Sequence, residues 1–171
     1  VREWAFAQFG ALAAKRPGDV DPPAVQDVKR IIRETEAVSG LEVMGLSRDA
    51  ARFLDLPFYQ TGKVRKDPIG PADVRIVRDL LEELRPDFIF VAGDLSDPHG
   101  THRMCKDAID RALAEAVAAG LPRPEVWLYR GAWQEWPVTE ATVLVPLSQE
   151  ELKLKIQAIF KHQSQKDSAP F

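Results

Sequence analysis

The chain has 171 residues, 45% of them hydrophobic and 29% charged, the proportions of an ordinary globular domain long enough to bury a sizeable core. Its formal charge of -3 leaves no basic excess to neutralise many phosphates, which argues against a nucleic-acid partner. No apolar run reaches membrane-spanning length, so no membrane partner is expected, and the composition argues against disorder over most of the chain.

The N-terminal stretch lacks the basic start and small-residue cleavage pattern of a signal peptide. The chain opens without Met and in mid-pattern, and so reads as a fragment or a processed piece. Cys105 is the only cysteine, which rules out an internal disulfide and favours a reducing, cytoplasmic compartment.

Residues 1–15 suit an amphipathic helix with Trp4, Phe6, Phe9 and Leu12 as its apolar members, broken by Arg16-Pro17-Gly18-Asp19. Asp21-Pro22 reads as an N-cap followed by a first-turn proline. Val25, Val28, Ile32 and Val38 continue at helical spacing, and the helix ends at Gly40 or runs on to Gly45. Residues 52–57 alternate and close on a proline, which suits a short strand; residues 58–70 form a loop. Pro71 opens a helix with Val74, Val77, Leu81 and Leu84 on one face, stopped by Arg85-Pro86-Asp87. Phe88-Ile89-Phe90-Val91-Ala92 is a continuous apolar run, the pattern of a buried parallel strand.

A polar, acidic loop fills residues 93–98, and a helix runs from about Thr101 to Ala119 with Gly120 as its stop. Residues 126–129 form a strand, 131–137 a tryptophan-rich loop and 141–145 another strand. Ser148 and Glu151 have capping-box spacing and open a last helix through Ile156 and Phe160. Strands alternating with helices of this length predict an α/β fold: a Rossmann-like, mostly parallel sheet with helices on both faces. The strands are few for that fold, so it is expected to be incomplete on its N-terminal side. Residues 1–165 are read as one truncated domain and 166–171 as a tail.

Open parallel sheets bind ligands beyond the carboxyl ends of their strands. The most polar stretch of the chain, Gly93-Asp94-Leu95-Ser96-Asp97-Pro98-His99-Gly100-Thr101-His102, falls at such an end. At the start of a helix, a three-residue spacing lets the imidazoles of His99 and His102 face one cavity, as a metal ligand and an acid–base group. The bland alternative is two surface histidines in a proline turn. Asp94 and Asp97 are placed to hold an imidazole in one tautomer. A catalytic zinc needs three protein ligands, which this loop alone does not supply. Cys105 is either a third ligand or a small helix residue.

His162, near the end of the last helix, suits the helix dipole. Trp127, Trp133 and Trp136 suit sugar stacking or, more commonly, packing. Lys63, Arg65 and Lys66 suit a phosphate contact or a solvated loop.

Asp97-x-His99-x-x-His102 resembles the second motif of the PIG-L/LmbE family of zinc-dependent de-N-acetylases, which act on N-acetylglucosamine-type substrates. Arg33-x-x-Glu36 followed by Gly40 and Met44-Gly45 is similar to the family's helix signature, and Phe53-Leu54-Asp55-Leu56-Pro57 to the strand after it. Lys155-x-x-Ala158-x-x-x-His162-x-Ser164-Gln165 is similar to its C-terminal signature. Tyr129-Arg130-Gly131-Ala132-Trp133-Gln134-Glu135-Trp136 and neighbouring segments resemble a branch in which this domain follows a glucosamine-6-phosphate deaminase-like domain.

The resemblance implies that His102 is a zinc ligand and that His99 binds the oxyanion and protonates the leaving amine. It also implies that Arg33 lies near the substrate and that the partner is a small amino sugar, with a homo-oligomer or a fused deaminase domain as further partners. The chain departs from the family in three places. The His-Pro-Asp-Asp motif, which supplies two zinc ligands and the general base, does not occur here. Gly100-Thr101 stands where Pro-Asp is usual, which leaves Asp97 to orient His99. Phe58 replaces an acidic substrate contact. This stretch by itself is therefore expected to bind zinc weakly and to be inactive. The alternative is a non-catalytic sugar-binding or assembly domain of a deaminase-like protein.

Overall fold

The computed structural model describes residues 2–16, 18–60, 66–93, 100–130 and 136–165. Its contacts divide the chain into two compact units, Val1–Phe53 with Leu144–Phe171, and Leu54–Val143.

In the first unit, α1 (Arg2–Ala13) buries none of its residues. The helix α2 (Pro23–Val43) starts one residue later than the sequence predicts, with Pro22 at the N-cap and Pro23 in the first turn. Asp21 does not cap it, because its carboxylate is held by the ammonium groups of Lys15 and Lys29, the latter at 2.6 Å. The helix passes Gly40 and stops short of Gly45, whose φ of 80° is left-handed and suits a glycine. Residues Arg48–Ala50 form a 3-10 turn that packs on α2. The helix α6 (Gln149–Ile159) also packs on α2 and begins at the predicted capping box. Ser148 N–H donates to Glu151 Oε2 at 2.7 Å, and Glu151 N–H donates to Ser148 Oγ at 3.1 Å.

The second unit holds the α/β core. Its short α3 (Pro57–Gln60) stands where the sequence predicts the end of a strand. Asp55 adopts φ 48°, which ends the extended run, and Pro57 then opens a helical turn. Residues 141–145 likewise show no ladder. Val143, Leu144 and Val145 are exposed, and no neighbouring strand among the described residues takes up their backbone groups.

The helix α4 (Pro71–Leu84) matches its predicted span. Val74, Val77 and Leu81 pack against Ala108, Ala112, Leu113 and Ala116 of α5 (Thr101–Ala118), and Leu121 closes the cluster. The alanines have little side chain to hold the two helices apart. Asp73, buried in the first turn of α4, accepts the Gly70 N–H at 2.8 Å and the Phe58 N–H at 2.9 Å, which ties α3 to α4.

The strands β1 (Phe88–Ala92) and β2 (Glu125–Tyr129) pair in parallel, Phe88 opposite Glu125 and Ala92 opposite Tyr129, with α5 as the crossover between them. The α/β class and the parallel pairing are therefore present, with two strands among the described residues. The predicted burial of β1 holds for one face. Val91 is 4% exposed and Ile89 packs on the helix cluster, whereas Phe88 and Phe90 on the opposite face are 51% and 65% exposed. Trp127 meets both phenylalanines edge-on, at 6.0 and 5.7 Å between ring centroids.

Candidate functional site

In the second unit the candidate chemistry lies at the carboxyl edge of β1 and β2. Gly93 extends the ladder one step, its N–H donating to the Tyr129 carbonyl at 2.7 Å. A side chain at Gly93 has no room: a Cβ would come 2.9 Å from Leu128 Cβ. Of the predicted site residues, Asp94, Asp97 and His99 lie outside the described residues. Beyond them Gly100 caps α5 with φ 70°, a left-handed conformation that explains a glycine between the two histidines. His102 follows in the first turn of α5 and is exposed. Cys105, one turn further on, is half-buried.

Two aromatic residues of this unit have distinct roles. Trp127 belongs to the sheet face, where its indole N–H donates to Glu125 Oε2 at 3.0 Å. Trp136 packs near Gly93 and carries the Arg130 guanidinium 3.8 Å above its ring. Trp133, Lys63 and Arg65 lie outside the described residues, and Lys66 stacks on Tyr59 at 4.2 Å. Phe58, standing where the resemblance implies an acidic contact, is buried at 2% exposure. It is a core residue here.

In the first unit the signature residues of α2 and the C-terminal segment come together. Glu36 accepts the Ser164 N–H at 2.6 Å and the Ser164 hydroxyl at 2.7 Å, a two-point clasp between residues far apart in sequence. The Ser164 hydroxyl, its N–H and the charges of His162 and Arg33 hold the Glu36 carboxyl below the ordinary glutamate range, against the opposing effect of burial.

His162 lies two residues past the C-cap of α6, in the turn leading to a 3-10 segment at Gln163–Gln165. Its Nε2 stands 3.4 Å from where a Cβ on Gly40 would be, and its Nδ1 is 3.4 Å from Gln165 Nε2. Arg33 is exposed one turn before Glu36. Of the three cations of α2, Lys29 pairs with Asp21 and Arg30 with Asp27 and Glu34, whereas Arg33 makes no ion pair among the described residues.

A zinc centre needs a converging set of donors. Among the described residues no three His, Cys, Asp or Glu side chains come together in such a group. His102 is one nitrogen donor and does not by itself complete a site.

Comparison with known proteins adds the family. The profile described as GlcNAc-PI de-N-acetylase (PIG-L) matches residues 9–113, well over half of the chain. The chain belongs to the PIG-L family. It is also 49% identical, over 163 residues, to a glucosamine-6-phosphate deaminase-like protein of Bacteroides thetaiotaomicron. That similarity covers 94% of this chain and 25% of the relative, so the chain spans about a quarter of the relative's length. No solved structure matches.

Sequence reasoning singled out Glu36 and Ser164 only as members of separate signatures and did not pair them, because a clasp between distant segments has no local periodicity. Arg130 carries one local signal, its place directly after a strand, at the carboxyl edge.

Proposed function

We propose that the chain is part of a zinc-dependent hydrolase that removes an N-acetyl group from an amino sugar of the N-acetylglucosamine type. The supporting observation is the family match, which spans the segment from Arg33 through His99 and His102, together with the place of His102 at the carboxyl end of a parallel strand. In this reading His102 is a metal ligand. His99 donates a hydrogen bond to the oxyanion of the tetrahedral intermediate and then gives its proton to the leaving amine. Asp97, with Asp94 as a second candidate, accepts the other N–H of that ring and fixes its tautomer. Arg33 contacts the substrate, and His162 steadies the C-terminal segment.

Zinc, when bound, supplies Lewis acidity towards the amide carbonyl and a water of lowered pKa. The relative's name includes glucosamine 6-phosphate, which extends the substrate class to phosphorylated amino sugars. The compartment that fits a lone cysteine is the cytoplasm, and no helix among the described residues is long and apolar enough to cross a membrane.

The test joins this chain to a segment carrying the His-Pro-Asp-Asp motif and measures acetate release from N-acetylglucosamine and its 6-phosphate. Release is expected, with a loss of about 10²–10³ in rate on His99→Ala. A second reading, a non-catalytic binding or assembly domain, is favoured by the exposed aromatic face of Phe88, Phe90 and Tyr129. Zinc-free protein with no acetate release from either sugar would select it.

A further inference from the structure

Arg130 follows directly on β2, at the same carboxyl edge of the sheet as Gly93. Its guanidinium carbon lies 3.8 Å from the centroid of the Trp136 ring, a close cation–π stack. Trp136 Cζ2 lies in turn 3.6 Å from where a Cβ on Gly93 would stand, which places the indole beside the end of β1. The Arg130 Nε is shut off from solvent and has no hydrogen-bond partner. Among the described residues no carboxylate pairs with this arginine.

A charged donor enclosed without a partner is costly, and native proteins hold few of them. Ordinary solvation does not explain one at a sheet edge where ligands bind. The residue as a whole is half-buried, so the enclosure of Nε leaves other parts of the side chain at the surface. Stacking on the indole fixes the plane of the fork, and a fixed fork suits an oxyanion that accepts two parallel hydrogen bonds. Arg130 and Trp136 both lie outside the family match at residues 9–113, so membership of the family assigns them no role.

We propose that Arg130, held flat on Trp136, is an oxyanion-binding site that takes the phosphate of a phosphorylated amino sugar; the choice of sugar rests on the reading above. The oxyanion chemistry is shared by free phosphate and by a sugar phosphate, and the test separates them. The purified protein is titrated with N-acetylglucosamine 6-phosphate, glucosamine 6-phosphate, N-acetylglucosamine and inorganic phosphate. Binding is followed by calorimetry in the parent and in Arg130→Gln and Arg130→Lys, each checked for intact secondary structure.

The 6-phosphates are expected to bind about 10- to 100-fold more tightly than N-acetylglucosamine, an advantage that Arg130→Gln removes without changing the affinity for the neutral sugar. Arg130→Lys keeps the charge but not the fork, so part of the advantage remains. Inorganic phosphate bound through Arg130, with no sugar bound at all, would uphold the oxyanion site and overturn the amino-sugar reading. N-acetylglucosamine bound as tightly as its phosphate, with Arg130→Gln silent, would overturn the role of Arg130 and leave that reading standing. Absence of binding by every phosphate-bearing probe would also overturn it.

Discussion

Glu36 is a carboxylate whose environment can be read from its hydrogen bonds. Both of its oxygens are taken by Ser164, so Arg33, one helical turn earlier, is not captured by the carboxylate nearest to it on the same face. Ser164→Ala removes the hydroxyl bond and keeps the one from the backbone N–H, so it is expected to free one Glu36 oxygen, Oε2, to pair with Arg33. The pairing would be seen as a shifted, slower-exchanging Arg33 Nε–H signal by NMR, restored to the parent value when Glu36→Gln is added. The clasp also has a pH dependence. The folded state lowers the Glu36 pKa beneath the ordinary 4.5, so it binds that proton less readily than the unfolded chain does. The stabilisation is therefore fully present above about that value and is lost as the pH falls through the depressed folded pKa. Hydrogen-exchange protection of the Ser164 amide should follow that course, and in Glu36→Gln it should be weak at every pH. Gly93 gives a steric prediction. A Cβ placed 2.9 Å from Leu128 Cβ forces a backbone or side-chain shift, so Gly93→Ala should lower stability by about 1–3 kcal/mol in urea unfolding.

At the scale of elements, Asp73 links α3 to α4 through two backbone N–H groups from different segments. Asp73→Ala leaves both donors without their partner in a buried setting. It should cost about 1–3 kcal/mol, measured as a lowered denaturation midpoint with an unchanged slope. The helices were legible in the sequence because their signals are local. Ser148 and Glu151 cap α6 by a rule that needs only four residues, and the 71–84 pattern of apolar positions buries Val74, Val77 and Leu81. Strands depend on neighbours. Residues 88–92 find a partner in β2, whereas residues 52–57, which alternate, and residues 141–145, which also read as a strand, pair with nothing among the described residues. Asp21 has the local pattern of a cap and does not act as one for a related reason: its carboxylate is claimed by Lys15 and Lys29, and no local pattern announces that competition. The candidate site was readable only as a segment from Gly93 to His102, of which the ends are described, Gly93 after β1 and His102 in the first turn of α5. The Arg130–Trp136 stack was not, since it forms only when β2 ends beside Gly93.

At the scale of the whole molecule, the chain belongs to the PIG-L family and pairs β1 with β2 in parallel, an arrangement in which ligands generally bind beyond the carboxyl ends of the strands. A complete set of metal donors is not met among the described residues, so the proposed role of His102 as a ligand requires donors beyond them. The bare aromatic face of the sheet has a measurable consequence. Phe90, 65% exposed, is expected to support binding of a hydrophobic dye, and Phe90→Lys should reduce that binding with little change in unfolding midpoint. The role of His102 is tested most directly by following the imidazole signals of His99, His102 and His162 by NMR while zinc is added to the chain joined to a His-Pro-Asp-Asp segment. His102 is expected to move to a metal-bound position at stoichiometric zinc, with His162 unmoved as the internal control. A His102 ring that keeps its zinc-free signals while the protein takes up the metal would contradict its assignment as a ligand.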